Sequence, residues 1–590
     1  MTYKEKLKAI RTIMAESGID AYIIPSSDPH ISEYVPERYK SIQFLSGFTG
    51  SAGTLVITAD FAGLWTDFRY FEQATSQLEG SGFDLVKLKI QHTPKNIQWL
   101  DANLLTGAKI AFDFKVVSVL LGEEILSSLS AKGITFENID LLEQVWPNRP
   151  ALPDNEIILL PESVCGHSFT DKLADLRLEL NKQKADVHLI SSLDDLAWLF
   201  NMRGSDVNYN PVVLCHALIS ATQVVLYVDE NKLNRANRAL LSEREVKLKP
   251  YDGIYTDIAE LEDCSILIDD KRSNFMLFNL ITESVRVVRS TNPVVFLKSI
   301  KNATEIENIR RAMVADGVAL TRFFKWLEEN VGKAEITELS AAAKLQYFRE
   351  MDPGFAGLSF ATIAGYAAHA ALPHYTANEE TDVALQAKGL FLLDSGGHYH
   401  YGTTDVTRTV PLGTTTDEEK RDYTLVLSAF IFGAAAKFPQ GTKGYQIDGI
   451  VRQQLWQQGI NYGHGTGHGV GYYLNVHEGP QNIGPANVPI AVDLCMVTSI
   501  EPGIYRPGKH GVRTENLVLT TTAETTEFGS FLQFESLTLA YIDTSIIISD
   551  LLLPQQLYWL NNYNEMVYQK LKAKLTDEEA RWLAVKCKAI

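Results

Sequence analysis

The sequence has few cysteines, and they do not stand where a disulfide framework or a zinc site would place them. Five occur in 590 residues, at Cys165, Cys215, Cys264, Cys495 and Cys587. No two have the CxxC or CxxH spacing of a metal or redox motif, and an odd, scattered set is typical of proteins from a reducing compartment. We therefore expect the cysteines to be buried small apolar residues.

Long apolar runs are also missing. No stretch reaches the roughly 18 consecutive apolar residues that would predict a transmembrane helix. The N-terminal segment MTYKEKLKAIRTIMAESGIDAYIIP carries charges among its apolar positions, whereas a secretory signal peptide has an uninterrupted apolar centre. We therefore expect no membrane association and a cytoplasmic location.

Clusters of basic residues are absent as well. The chain has 54 Lys and Arg against 72 Asp and Glu, a formal charge of −18. Binding to nucleic acid phosphates needs a concentrated Lys/Arg surface, and no such run occurs. The excess acidity predicts a solubilising surface and argues against a nucleic-acid partner.

The composition is that of a folded protein of several domains, since 590 residues with 45% hydrophobic content exceed one core. Residues 1–150 alternate helix and short strand patterns, which predicts an α/β domain ending at the proline-rich segment 146–150. Residues 151–303 are predicted to form a second, similar domain. Its segment 198–205 resembles segment 44–51, and after each we predict a strand pair closed by an aspartate, Asp67 or Asp229, as in a domain duplication.

The third domain, residues 304–590, is predicted to be α+β. Its first helix is expected to begin at a capping box formed by Thr304 and Glu307. Two helices followed by strands then occur twice, with strands expected at 360–363 and 390–394 in the first half. That order predicts two similar halves with helices packed on one curved antiparallel sheet. Residues from about 525 to 590 are predicted to be an appended strand and two helices.

Acidic residues stand at the ends of strands in both halves of this third domain. The strand ending at Asp394 and the returning segment with Asp405 would bring two carboxylates to one end of a hairpin. Glu501 and Glu515 occupy corresponding places in the second half. An aspartate beside glycines is more often a turn residue, but two such pairs favour a site for a divalent cation, which prefers anionic oxygen ligands.

A glycine-rich segment lies between these acidic pairs. The run His464–Gly471, HGTGHGVG, places two imidazoles among four glycines. Glycine removes the bulk that would keep the backbone and the imidazoles away from a ligand. Although a lone histidine is usually structural, two of them in a glycine-rich loop among four acidic positions indicate a functional site.

Several motifs together resemble those of the pita-bread metallopeptidases, which include methionine aminopeptidase, prolidase and aminopeptidase P. They are HGTGHGVG, Asn475–Pro480 (NVHEGP), Asp394–Gly396 (DSG), Thr404–Thr409 (TDVTRT) and Glu501–Gly503 (EPG). The likeness extends over nearly the whole chain and is strongest to the long, three-domain aminopeptidase P enzymes. It implies two creatinase-N-terminal-like α/β domains followed by a pita-bread catalytic domain.

The resemblance also implies the chemistry. It implies a metal-dependent aminopeptidase that hydrolyses the N-terminal Xaa-Pro bond of peptides through a hydroxide bridging two divalent ions. The ions in this family are usually manganese, with zinc or cobalt possible. The resemblance implies that Asp405 and Glu515 bridge the ions, that Asp394 completes the first ion's shell, and that His468 and Glu501 complete the second's.

Four further residues correspond to family positions. The resemblance implies that His464 and His477 face the substrate carbonyl and that His374 lies near the scissile amide, where it would shuttle a proton. It also implies that Arg513 pairs with an acidic ligand or the substrate. His30 and Arg69, in the first domain, are expected either to contact longer peptides or to lie on the surface.

Two alternatives stay open from the sequence. A prolidase would share this metal site but cleave only dipeptides, although prolidases usually have one leading domain rather than two. A non-catalytic pita-bread protein would bind peptides or proteins without hydrolysis, but the complete set of ligand residue types argues against it. A homodimer is implied by resemblance alone.

Overall fold

A computed structural model describes residues 1–88 and 95–590 of the chain. The described residues form two compact units. The first consists of Met1–Pro161 and His167–Val295, and the second of Glu162–Gly166 and Phe296–Ile590. Among the described residues, no helix combines the length and the apolar character that a membrane crossing demands.

The first unit contains two six-stranded mixed sheets. The strands of the first sheet are, in spatial order, Asp84–Leu88, Ala62–Asp67, Thr54–Thr58, Ala21–Pro25, Lys109–Phe112 and Thr135–Asn138. Those of the second are Val246–Lys249, Val224–Val228, Cys215–Ser220, Val187–Ile190, Ser265–Ile268 and Arg286–Arg289. Both sheets have the same strand order and the same pattern of parallel and antiparallel neighbours.

The equivalence of the two sheets extends to local detail. Asp67 ends the strand Ala62–Asp67 of the first sheet and accepts a hydrogen bond from the Arg69 amide, capping a short 3₁₀ turn. Asp229 follows the corresponding strand of the second sheet and accepts one from the Asn231 amide in the same way. The second, similar α/β domain predicted from the repeat is therefore confirmed.

Short amphipathic helices cover these sheets. The N-terminal helix buries Leu7, Ile10 and Met14 and is capped by Thr2 and Glu5, whose side chains bond reciprocally to each other's backbone amides. The helices of the first unit are Tyr3–Glu16, Ser41–Ser46, Phe71–Gln77, Lys95–Asn103, Val119–Leu129, Leu142–Val145, Phe169–Gln183, Leu193–Leu199, Arg235–Glu243, Gly253–Ala259 and Phe275–Asn279. A further helix, Pro293–Ser299, lies where the chain passes from the first unit to the second.

The second unit combines helices with antiparallel sheets, as predicted. Its strands are Phe355–Leu358, Ile363–Tyr366, Leu390–Ser395, Gly397–Tyr399, Gly402–Thr403, Val406–Pro411, Lys437–Pro439, Gly467–Gly469, Glu478–Ile483, Val497–Ile500, Gly503–Arg506, His510–Arg513, Asn516–Thr526 and Gly529–Ser536. Its helices are Glu162–Cys165, Ala303–Asn330, Glu338–Arg349, Asp417–Ala434, Gly444–Trp456, Pro554–Leu571 and Asp577–Lys586. One continuous apolar core joins the two halves and the C-terminal helices.

Two local predictions for this unit are wrong. The long helix begins two residues earlier than expected, because Asn302 rather than Thr304 is its N-cap and pairs with Glu305. The strand expected at 360–363 instead runs over Ile363–Tyr366. The preceding residues are diverted because Ser359 bonds to the backbone of Gly396 and Thr404, in the neighbouring turn.

All five cysteines are free thiols. Cys165, Cys215 and Cys587 are buried, as predicted. Cys264 and Cys495 are only partly buried, so the prediction is wrong for these two.

Candidate metal centre

The two halves of the second unit bring their acidic residues to the ends of paired strands. In the first half, Ser395 pairs with Val406, so Asp394 and Asp405 lie at the same end of the antiparallel pair. In the second half, Ile500 pairs with Asn516, which places Glu501 and Glu515 at one end. The backbone therefore has the paired strand ends that the sequence predicts.

These residues meet around His468. Asp405, His468 and Glu515 each offer a ligand atom, and the three atoms lie within 4.8 Å of one another. The Nε2 atom of His468 is 3.4 Å from Asp405 Oδ2 and 3.6 Å from Glu501 Oε1. Asp394 Oδ2 accepts a hydrogen bond from Nη2 of Arg513 at 2.6 Å. Nε of Arg513 donates to the Thr407 hydroxyl at 3.3 Å, and that hydroxyl donates to Glu515 Oε2 at 2.8 Å, which links Asp394 to the same group.

The donor set fits a divalent cation. The Nδ1 atom of His468 donates to the carbonyl oxygen of Gly469 at 3.0 Å, so its Nε2 faces the carboxylates and can bind a metal ion once it has released its proton. Within the described chain, the Oδ1 atom of Asp394 is buried and accepts no hydrogen bond. A buried carboxylate oxygen without a donor is costly unless a cation supplies the missing partner.

The pKa values of the clustered residues also indicate that the site needs a cation. Burial, together with the neighbouring Asp405, raises the pKa of Glu515 well above its ordinary value. Burial also raises the pKa of Glu501 to about 7. Burial alone would lower the pKa of His468, but its contacts with Asp405 and Glu501 outweigh this and raise it to about 9. Without a cation, the cluster therefore retains protons.

Glycine at position 467 lets the histidine strand approach its neighbour. A Cβ atom at Gly467 would lie 1.8 Å from the carbonyl oxygen of Ser499. The amide of His468 donates to the Ser499 hydroxyl at 3.0 Å across the same contact. The glycine-rich motif therefore seats His468 against the strand that leads to Glu501.

Arg513 pairs with an acidic ligand, which is one of the two roles expected for it. Its guanidinium also donates from Nη1 to the hydroxyl of Tyr505 at 2.7 Å. That hydroxyl lies 2.7 Å from Nε2 of His464. A network therefore runs from His464 through Tyr505 and Arg513 to Asp394.

Tyr505 was missed in the sequence. Its position four residues after Glu501, on a short strand that pairs with the strand of Arg513, is the only signal that could have suggested it.

The three predicted catalytic histidines lie in different surroundings. The ring of His477 is perpendicular to that of His468, with centroids 4.4 Å apart. His464 donates from Nδ1 to Gly465 O at 2.7 Å, so its Nε2 accepts from Tyr505. His374 is half-buried and follows Pro373, whose carbonyl accepts from Arg513 at 3.4 Å. Their catalytic roles stay predictions.

His30 and Arg69 belong to the first unit. His30 is buried, with its ring nitrogens 2.8 Å from Ser191 O and 2.7 Å from the Tyr251 hydroxyl. Arg69 makes a two-pronged ion pair with Asp67. A surface position is therefore wrong for His30, whereas Arg69 is partly exposed and its role stays a prediction.

Family comparisons divide the chain into four segments. Residues 307–522 match Metallopeptidase family M24, and residues 530–590 match the C-terminal region of peptidase_M24. Residues 6–145 and 148–305 each match a Creatinase/Prolidase N-terminal domain. The five predicted ligand residues all lie within the M24 segment.

Similar proteins cover the whole chain. It is 37% identical to a probable Xaa-Pro aminopeptidase P of Neurospora crassa, over 98% of this chain and 88% of that protein. It is 39% identical to the Aspergillus niger protein of the same description, over 96% and 95% of the two chains. Its fold matches the crystal structure of an X-prolyl aminopeptidase from Caenorhabditis elegans, described as a cytosolic enzyme with a di-nuclear active site, with a TM-score of 0.95, 35% identity and complete coverage of both chains.

The order of segments and the full-length likeness confirm the predicted fold class, two creatinase-type domains followed by a pita-bread catalytic domain. The segment that matches family M24, residues 307–522, includes both the acidic cluster and the glycine-rich motif. The chain therefore belongs to metallopeptidase family M24 and, within it, to the aminopeptidase P family.

Proposed function

We propose that this protein removes the first residue from peptides whose second residue is proline, using two divalent metal ions. The observation that carries the proposal is the cluster of four carboxylates around the half-buried His468, in which Asp394 Oδ1 is buried and accepts no hydrogen bond within the described chain. The full-length similarity to Xaa-Pro aminopeptidases supports the substrate class.

We assign the ligands as the sequence predicted. Asp405 and Glu515 would be shared between the ions, Asp394 would belong to the first, and His468 with Glu501 to the second. The 3.4 Å and 3.6 Å separations of His468 from Asp405 and Glu501 support the second group. When bound, such an ion pair supplies Lewis acidity toward a carbonyl oxygen and activates a water molecule.

The protein's own groups would orient the peptide and move the proton. His477, whose ring lies 4.4 Å from that of His468, would donate to the substrate carbonyl oxygen. His374 would deliver a proton to the leaving proline nitrogen. Both ring nitrogens of His464 are engaged, by Gly465 and Tyr505, so its contact with substrate requires exchange of the Tyr505 bond. Arg513 would act on substrate indirectly, through Asp394 and Tyr505.

The remaining assignments follow the same resemblance. A shell of carboxylates with one imidazole suits manganese, and zinc or cobalt would be accepted by the same ligands. We propose a cytoplasmic homodimer, in keeping with the cytosolic description of the nematode relative. We also propose domain limits at 1–150, 151–303 and 304–590.

A set of short peptides tests the proposed function. The purified protein is incubated with Arg-Pro-Pro, with Gly-Pro and with the proline-free control Arg-Ala-Ala, in manganese or in a chelator. We expect arginine release from Arg-Pro-Pro alone, abolished by chelation. Cleavage of Gly-Pro alone would instead identify a prolidase, and absence of both cleavage and metal binding would favour a non-catalytic binding protein.

A further inference from the structure

A buried ion pair stands behind the glycine-rich segment of the metal centre. Asp448 and Arg452 lie one turn apart on the helix Gly444–Trp456, and their side chains are 3% exposed. Arg452 Nε donates to both carboxylate oxygens of Asp448, at 2.9 and 2.7 Å. Neither residue has a part in the ligand set or among the predicted catalytic groups.

The free edge of the Arg452 guanidinium holds the backbone that carries His464. Its Nη1 donates to the carbonyl oxygen of Tyr462 and its Nη2 to that of His464, each at 2.6 Å. The guanidinium also lies over the Tyr462 ring, 3.9 Å from the ring centroid. The Tyr462 ring is in turn 4.9 Å, centroid to centroid, from the imidazole of His464.

Asp448 holds the chain on the other side of His464. Its Oδ1 accepts a hydrogen bond from the Thr466 hydroxyl at 2.6 Å. The carbonyl oxygen of Thr466 accepts from the amide of Glu501 at 2.7 Å. One ion pair is thus bonded directly to the segment on both sides of His464, and through Thr466 to the backbone of a predicted metal ligand.

The segment has little steric constraint at this point, so hydrogen bonds such as those from Asp448 and Arg452 are needed to fix its backbone. A glycine stands at every second position from 465 to 471, and glycine loses more conformational freedom on ordering than any other residue. Gly467 is wedged against Ser499, but a Cβ atom at Gly465 would have only an ordinary contact, 3.4 Å from Ile483 O. The backbone beside His464 is therefore held by hydrogen bonds rather than by steric fit.

We propose that Asp448 and Arg452 are positioning residues that set the place of the His464 imidazole for reaction with substrate. The inference rests on the proposed function and on the part of His464 in it. The planar guanidinium of Arg452 matters because its three nitrogens donate hydrogen bonds to Asp448, Tyr462 and His464 at the same time. A lysine at this position would keep the positive charge beside Asp448 but could not hold both carbonyls in the same geometry.

A double-mutant cycle separates positioning from general stabilisation. Arg452→Lys, His464→Ala and the double variant are assayed on Arg-Pro-Pro with manganese, together with their manganese content and melting temperature. We expect Arg452→Lys to lower kcat by roughly 10²-fold, as a misplaced catalytic group does, with KM and manganese content nearly unchanged. In the His464→Ala background the same change should have almost no effect on kcat.

Arg322→Lys is the matched control, because Arg322 pairs with Glu579 in the same unit without contacting the glycine-rich segment. It should leave kcat unchanged. If Arg452→Lys does not fold, Thr466→Val replaces it in the cycle. That change removes the hydroxyl that bonds to Asp448 and to the Tyr462 hydroxyl, and its smaller loss of kcat should likewise vanish without His464.

Three results would overturn the inference while the wild-type protein cleaves Arg-Pro-Pro. They are an unchanged kcat in Arg452→Lys, an equal fold-loss in the presence and absence of His464, and a loss of activity that follows a loss of manganese. An inactive wild-type protein that binds manganese would overturn the proposed function instead, and the inference with it.

Discussion

The ligand residues concentrate more negative charge than their surroundings neutralise. Four carboxylates share a buried site with His468 and with Arg513, which directs its charge at Asp394. The raised pKa values of Glu515, Glu501 and Asp394 all have burial as their largest cause. At the residue scale, the metal-free site therefore binds protons in place of metal.

Metal affinity should consequently fall as the pH is lowered from about 8 to about 6. Despite its burial, His468 has a pKa raised to about 9 by Asp405 and Glu501, and burial raises that of Glu501 to about 7. Both groups hold protons near neutral pH and must release them to a metal ion, so fewer protons are displaced as the pH rises. Calorimetric titration with manganese in two buffers of different ionisation enthalpy would detect the released protons, whereas buffer-independent heats would contradict this account.

A second buried charge cluster affects stability. The carboxylate of Glu478 lies 2.5 Å from Lys301 Nζ and 3.3 Å from Lys298 Nζ, and all three side chains are buried. Glu478→Ala would remove the carboxylate that both ammonium groups contact, which costs about 3–5 kcal/mol for buried pairs. Thermal unfolding should show a fall in melting temperature of several degrees.

The control for Glu478→Ala is Glu524→Ala, which breaks an exposed pair with Lys437. Exposed pairs contribute about 0–1 kcal/mol, so its melting temperature should be close to that of the wild type. Equal melting temperatures for the two variants would show that the buried cluster contributes no more to the free energy of unfolding than the exposed pair does.

At the scale of elements, the sequence predicted well what depends on local order. The positions of Asp394, Asp405, Glu501 and Glu515 follow from strands that end at a turn, and antiparallel pairing does bring each couple together. The second α/β domain was predicted from a repeated motif and a recurring aspartate cap. Such signals lie within short stretches of chain, where periodicity and turn chemistry are readable.

Contacts between segments that are far apart in the chain could not be predicted from such local patterns. The start of the long helix was misplaced because Asn302 and Thr304 are both good caps, and the burial of Glu305 decides between them. Tyr505 had only a weak signal in the sequence and Arg452 had none, because Tyr505 contacts His464, 41 positions away, and Arg452 contacts Tyr462, 10 positions away. Their roles depend on tertiary packing.

The element most sensitive to a single methyl group should be the histidine strand. Gly467→Ala would place a Cβ atom 1.8 Å from Ser499 O, so Gly467–Gly469 must move away from Val497–Ile500 and take His468 with it. We expect loss of manganese binding and at least a roughly 10²-fold loss of activity, since small displacements at a site have effects of that size.

Gly449→Ala provides the control, because Gly449 lies in the helix Gly444–Trp456 with open space where a Cβ atom would be. Alanine is favoured over glycine in helices by up to about 1 kcal/mol, so manganese content and activity should be retained. Normal manganese binding by Gly467→Ala would show that the strand contact does not fix His468.

At the scale of the whole molecule, all five ligands lie in the second unit, within Phe296–Ile590. Metal binding stabilises the unit whose folding forms the site, by about 2.7 kcal/mol when free metal is one hundred times its dissociation constant. Removal of metal should therefore speed hydrogen exchange in peptides around residues 390–410 and 464–520. Mass-spectrometric exchange with and without a chelator would test this, and an equal change in peptides from residues 1–88 would contradict it.

The central claim is that catalysis needs two ions held by these five side chains. The most direct measurement is manganese content per chain by elemental analysis, followed in parallel with arginine release from Arg-Pro-Pro as metal is added back to the stripped protein. The account predicts that activity is complete at two ions per chain, and that Glu515→Gln, which alters a shared ligand, retains neither full occupancy nor activity. Full activity of the stripped protein, or of Glu515→Gln with no bound manganese, would contradict it.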